Sequence, residues 1–122
     1  SGRYHYHPDG HRLELLAEDD VRADLADAAL SQQAVAQAPA TFVITAVFAR
    51  TEVKYGDRAE RYVKLEVGHA AQNLLLQAVA LDLGAVPIGA FSDDQVGDVL
   101  DLPDDHEPLY LIPVGQPAGA SG

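Results

Sequence analysis

The sequence predicts a mixed α+β fold, and three stretches carry that prediction. Thr41 to Phe48, TFVITAVF, is short, β-branched and apolar between turn signals. That is the pattern of a strand buried on both faces, and so a central one. Leu109 to Val114, LYLIPV, reads as a second strand, with Pro113 marking a sheet edge or a strand end. Between them, from about Glu60 to Leu83, no proline and only Gly68 interrupts a helical pattern, which predicts a helix of roughly 36 Å.

The remaining elements follow in order. Residues 3–16 read as a hairpin: Tyr4 and Tyr6 alternate with His5 and His7, Pro8-Asp9-Gly10 supplies the turn, and Arg12 to Leu16 returns. Asp19 or Asp20 caps a helix whose Val21, Leu25, Ala28 and Ala29 share a face. Ser31 to Ala38 makes a short second helix that Pro39 ends. Residues 50–59 read as a loop in which Gly56 permits an unusual backbone conformation. Gly84 stands where the long helix should be capped. Ala85 to Ile88 forms a short strand, Ser92-Asp93 caps a helix reaching Leu100, and residues 116–122 form a flexible tail. From Ala70 to Leu83 the apolar residues point in nearly every direction. A helix of that kind is covered from several sides, and a two-fold homodimer is the default source of the missing cover.

Composition sets the outer limits. The 122 residues predict a single domain, and they include 19 acidic side chains against 8 basic ones, for a net charge of -11. That balance argues against nucleic acid or an anionic membrane as partner. No apolar run approaches the roughly 18 residues a membrane helix needs. The absence of cysteine excludes disulfides, thiolate zinc sites and cysteine nucleophiles, and fits a cytoplasmic protein. There is also no methionine, so Ser1-Gly2 reads as a tag remnant or cut site and the chain as part of something longer.

Five of the eight basic residues, Arg50, Lys54, Arg58, Arg61 and Lys64, fall in fifteen positions, and none follows residue 64. Cations gathered in this way act locally, on an anion or on the chain's own carboxylates. Lys54-Tyr55 is the first candidate for chemistry, because neighbouring cations disfavour an ammonium and favour a phenolate, which suits general acid/base work. The same pair also fits a solvated lysine beside a tyrosine packed on the sheet. Val86-Pro87-Ile88-Gly89-Ala90-Phe91 is the second candidate. A strand ending in Gly-Ala lets backbone amides approach a flat ligand, although an ordinary strand-to-helix turn has the same residues. Glu66, His69, Gln72 and Asn73 share a helix face. A metal site there would need a second Glu-x-x-His pair, which the chain lacks. His5, His7 and His11 read as surface histidines, so no metal is expected.

Taken together, YHYHPDGHRLELL, KYGDRAERYVKLEVGHAAQNLLL, GAVPIGAF and EPLYLIPVG resemble, in this order, the nitroreductase superfamily. More narrowly they look like SagB-type dehydrogenases, which oxidise azolines to azoles in modified peptides. The resemblance spans about residues 3–117, and RY-x-x-LE-x-GH-x-x-QN is its most specific run. It implies a nitroreductase-like mixed sheet packed with helices, the long helix at a homodimer interface, and FMN bound there. It implies that Lys54 and Tyr55 assist proton removal during hydride transfer from a small-molecule or peptidyl azoline substrate. It also implies that Pro87, Ile88, Gly89 and Ala90 line the isoalloxazine ring, with Phe91 packing behind. Two departures stand out. The chain starts after the family's Arg-Arg-Ser-type phosphate grip, and Gln116 stands where the family often has arginine, in Val114-Gly115-Gln116-Pro117. Weak FMN binding is therefore expected unless a complementing N-terminal segment or partner subunit supplies the grip. The alternative reading is a non-catalytic nitroreductase-like binding and dimerisation module that has lost its flavin.

Overall fold

The computed structural model describes residues 1–117. The predicted hairpin forms from β1 (Arg3–His7) and β2 (Arg12–Ala17). Its tip turns where the His11 amide donates to the Pro8 carbonyl at 3.2 Å, with Gly10 at φ 82°. Two short helices follow, α1 (Arg22–Ala28) and α2 (Gln33–Gln37). The cap of α1 is Val21, which makes no side-chain cap hydrogen bond, and not Asp19 or Asp20 as expected; Asp20, one residue earlier, accepts from the Arg22 amide at 3.1 Å. After these come β3 (Ala40–Ala46), α3 (Phe48–Tyr55), a 3₁₀ turn (Gly56–Arg58) and α4 (Ala59–Ala80). The described chain closes with β4 (Gly84–Ala85), α5 (Asp93–Leu100) and β5 (Glu107–Gly115).

The main sheet is antiparallel with the order β3-β5-β4. β5, not β3, is therefore the central strand. Alternation explains why: Leu111 faces one core while Ile112 and Val114 face another, so β5 is buried on both sides. β3 has one paired edge, and its Phe42 is half exposed. Pro113 is tolerated in the central strand because its carbonyl accepts from the Val86 amide at 3.3 Å. The amide it lacks would face β4, where pairing covers only Gly84 and Ala85.

On one face of the sheet α1, α2 and α5 enclose Leu25, Ala29, Val35, Ile88, Val96 and Leu111. On the other, α4 lays Ala71, Leu74 and Leu75 against Ile112 and Val114. The result is the mixed α+β layering expected from the sequence.

β3 ends at Ala46, so Phe48, read as part of that strand, opens α3 instead. Three further boundaries differ from the sequence reading. Residues 50–59 are not a loop, since α3 and the 3₁₀ turn occupy them and α3 packs on α4. The long helix stops at Ala80 instead of Leu83, and Gly84 belongs to β4. Its C-terminus is closed by Asp82 at φ 60°, with the Leu83 amide donating to the Ala78 carbonyl at 2.8 Å and the Asp82 amide to Val79 at 3.0 Å. Finally, the strand predicted over Ala85 to Ile88 is reduced to Gly84–Ala85 plus one bridge from Ile88 to Leu111. Of the predicted tail, 118–122 lies outside the described residues.

Within one copy of the chain α4 is covered on one side only. Ala59, Val63, Ala71 and Ala78 are buried, while Leu65, Leu76 and Val79 are 52%, 59% and 71% exposed. At about 100° per residue these three fall on the opposite side of the helix. Among the described residues no helix is long and apolar enough to cross a membrane.

Candidate functional site

The turn Pro87–Phe91 is held from two directions. Ile88 is buried, and it exchanges backbone hydrogen bonds with Leu111 at 2.8 and 3.0 Å. From the helical side, Gln32 Nε2 donates to the Ala90 carbonyl at 3.1 Å and to the Ala29 carbonyl at 2.9 Å. The Ser92 amide donates to the Ala28 carbonyl at 2.9 Å. Gly89 and Ala90 lie between these anchors and are exposed. Their amides donate to no backbone carbonyl among the described residues. A Cβ built on Gly89 would meet nothing closer than Tyr110 Cε1 at 3.7 Å. The turn thus presents two exposed residues whose amides donate to no backbone carbonyl, with a Cβ at Gly89 in ordinary contact with the Tyr110 ring. Of the residues expected along a flavin ring, Pro87, Gly89 and Ala90 are exposed, whereas Ile88 is buried and contributes backbone and core packing, its side chain not open to a ligand.

Lys54 and Tyr55 form the last turn of α3, where Gly56 ends the helix at φ 57°, ψ -128°. Lys54 is exposed and its Nζ lies 5.2 Å from the centroid of the Tyr55 ring. Tyr55 meets Tyr62 of α4 edge to face at 4.9 Å, and it remains 44% exposed. The aromatic contact gives the phenol a defined position while the residue stays exposed. No hydrogen bond among the described residues joins this pair to the Pro87–Ala90 turn, and the two stand on separate elements.

The other polar residues singled out by sequence settle elsewhere. His7 Nε2 lies 3.4 Å from Glu14, and the Tyr6 hydroxyl 2.8 Å from His11 Nδ1. Glu66, His69, Gln72 and Asn73 are exposed on α4. Gln116 lines an open depression of about 440 Å³ with Ala38, Pro39, Gly84, Val86 and Pro113. That hollow reaches Val86 but includes none of Pro87, Ile88, Gly89 or Ala90. A second hollow, about 280 Å³, lies between α1 and α5 and is lined by Asp24, Asp27 and Asp98.

Sequence reasoning missed Gln32, Tyr110 and Tyr62. Gln32 is separated from Ala90 by 58 positions, so no local pattern could link them. Tyr62, by contrast, lies inside the quoted helix motif, and its spacing from Tyr55 gives the two rings neighbouring positions once α3 is known to be helical.

The nitroreductase family model matches residues 5–116. The chain belongs to the nitroreductase family. It is 44% identical over 115 residues to a candidate nitroreductase of Methanocaldococcus jannaschii, a match covering 94% of this chain and 57% of that protein. A candidate nitroreductase structure from Anabaena variabilis superposes with a TM-score of 0.90 at 35% identity, over 96% of this chain and 24% of the other. The NADPH:FMN oxidoreductase of Vibrio harveyi, solved with NAD+, superposes with a TM-score of 0.69 at 29% identity, over 80% of this chain and 46% of that one. This nitroreductase-family chain therefore spans little more than half the length of that Methanocaldococcus jannaschii relative.

Proposed function

We propose that this chain supplies the flavin-ring part of an FMN-dependent oxidoreductase. The observation carrying the proposal is the pinned turn at Gly89 and Ala90, with two exposed amides that donate to no backbone carbonyl. FMN, when bound, supplies the hydride acceptor and donor that no protein side chain can provide. Pro87, Gly89 and Ala90 hold the edge of the ring, and Ile88 fixes their height above β5. Lys54 Nζ and Tyr55 Oη take or give the proton that accompanies hydride transfer. A second copy of the chain covers Leu65, Leu76 and Val79, and as a homodimer brings a Lys54-Tyr55 pair toward a turn that its own protomer does not reach.

The narrower SagB-type reading makes the substrate a peptidyl azoline. It rests on the four quoted stretches, of which the RY-x-x-LE-x-GH-x-x-QN run is the most specific, and the family match does not extend to it. One observation favours the rival reading, a non-catalytic nitroreductase-like module: Gln116, uncharged, stands at the end of β5 where a cation would grip a phosphate.

Titration of FMN into the chain, followed by quenching of flavin fluorescence, tests the proposal. Saturable binding by the wild type, lost in Gly89→Val, is expected. In a flavin-loaded complete protein, Lys54→Ala should lower turnover and leave the flavin absorbance unchanged. A colourless chain that ignores FMN even with the complementing segment present would leave the module reading standing.

A further inference from the structure

Residues 50–64 hold five cations and three carboxylates, whereas the rest of the chain holds three cations and sixteen carboxylates. Outside this segment, Arg3 pairs with Asp19 and Arg22 with Asp20, while Arg12 on the hairpin forms no ion pair among the described residues. Inside it, Lys64 pairs with Glu60. Arg50, Lys54, Arg58 and Arg61 form no ion pair among the described residues, although carboxylates outnumber cations more than two to one. All four are exposed. Arg50 and Lys54 are one turn apart on α3, and Arg58 and Arg61 one turn apart where α4 begins. Cations gain nothing from the field at a helix N-terminus, so helix stability does not account for Arg58 and Arg61. Beside them Val53 is 90% exposed, an apolar side chain standing clear of the protein.

We propose that this surface is a docking site for a short acidic segment of another polypeptide, with an apolar residue of that segment resting on Val53. The dimensions favour an extended partner over a small anion. α3 alone spans about 12 Å, matching about four residues of extended chain. Neither hollow described above includes any of the four cations. A nucleic acid would be repelled by the sixteen carboxylates on the rest of the surface, whereas a short segment keeps its charge near the cations. Arginine also matches the planar geometry of a carboxylate. The docking surface needs neither FMN nor turnover. It shares only Lys54 with the flavin reading, so the two can fail separately.

The test is fluorescence anisotropy with a labelled peptide of alternating glutamate and leucine, against the chain without flavin. Binding should weaken as salt rises. It should fall roughly tenfold or more in Arg58→Glu/Arg61→Glu and stay near wild type in Arg12→Glu, an unpaired cation on the hairpin, outside the segment. Far-UV circular dichroism confirms folding, and the single variant Arg50→Glu, also expected to weaken binding, serves if the double variant is misfolded. Equal binding of a lysine–leucine peptide would overturn the proposal, as would indifference to Arg58→Glu/Arg61→Glu. So would salt-dependent self-association without peptide uptake, which would make the occupant a second copy of this chain.

Discussion

Ile88 and Leu111 exchange both backbone hydrogen bonds, 2.8 Å from the Ile88 amide and 3.0 Å from the Leu111 amide. Among the described residues this isolated bridge, with the Val86 amide's bond to the Pro113 carbonyl at 3.3 Å, ties the candidate site to the central strand beyond Gly84–Ala85. Both side chains are buried in one core, at 6% and 0% exposure. Position and stability are therefore coupled at one residue: the side chain that anchors the core also sets where the Gly89 and Ala90 amides lie.

Ile88→Ala should accordingly do two things. Removing its buried carbons should destabilise the fold by about 2–4 kcal/mol, read as a lower urea midpoint. At temperatures where the variant is still folded, FMN affinity should drop as well, because the turn loses its lower anchor. Loss of stability with intact flavin affinity would show that Gln32 and Ser92 hold the turn unaided.

Gly56→Ala tests the other half of the site. The backbone at Gly56, φ 57° and ψ -128°, is a conformation that side-chain-bearing residues hold only under strain, of the order of 1–3 kcal/mol. Space is not the obstacle, since a Cβ there meets nothing within 4 Å. The expected thermal midpoint falls, and the Tyr55–Tyr62 contact loosens because the end of α3 shifts. Near-ultraviolet circular dichroism of the tyrosines reports the second effect. An unchanged melt would mean that the helix end relaxes freely.

Acid should weaken the start of α1 within a defined window. Hydrogen bonds from the Arg22 guanidinium, then one from the Arg22 amide, hold the Asp20 carboxyl at about 2, below its ordinary 3.8. A carboxyl depressed in the folded state stabilises above its ordinary value, and that contribution is lost as pH falls through the depressed one. The group is exposed to solvent, so the effect is small. In a carbon-13 titration Asp20 should show a midpoint near 2. The stability difference between wild type and Asp20→Asn should be constant above the ordinary carboxyl value and shrink below it. A midpoint at the ordinary value would remove the pair from any account of acid stability.

The architecture was legible where residues answered to local rules, and obscure where tertiary packing decided. The hairpin announced itself in Pro8-Asp9-Gly10, and α5 in Ser92, whose hydroxyl accepts from the Gln95 amide at 3.4 Å. α3 did not, because residues 50–59 with Gly56 read as a loop and packing on α4 holds FARTEVKY helical. The order of strands was misread through Pro113: proline usually marks an edge, but here the neighbouring strand is too short to need its missing donor. The candidate site divides in the same way. Gly89-Ala90 is visible as a motif, while the Gln32 bond that steadies it spans 58 positions. Lys54-Tyr55 was visible as a pair, but its place on a helix end was not.

Asp82 offers a last test, because a glycine was expected to close α4 and an aspartate does so. Its φ of 60° is a conformation aspartate tolerates and glycine adopts freely. Its carboxylate also sits at the negative end of the helix dipole, an unfavourable placement of about 0.3–1 kcal/mol. Asp82→Gly relieves both penalties, although glycine gives back part of the gain by loosening the unfolded chain. A net stabilisation of about 0.5–1 kcal/mol is expected, measured by urea unfolding. Asp82→Ala removes the same charge but leaves a Cβ in the left-handed conformation, so it should stabilise less than glycine. If alanine equals or exceeds glycine, the helix end is governed by charge and its backbone geometry carries no strain.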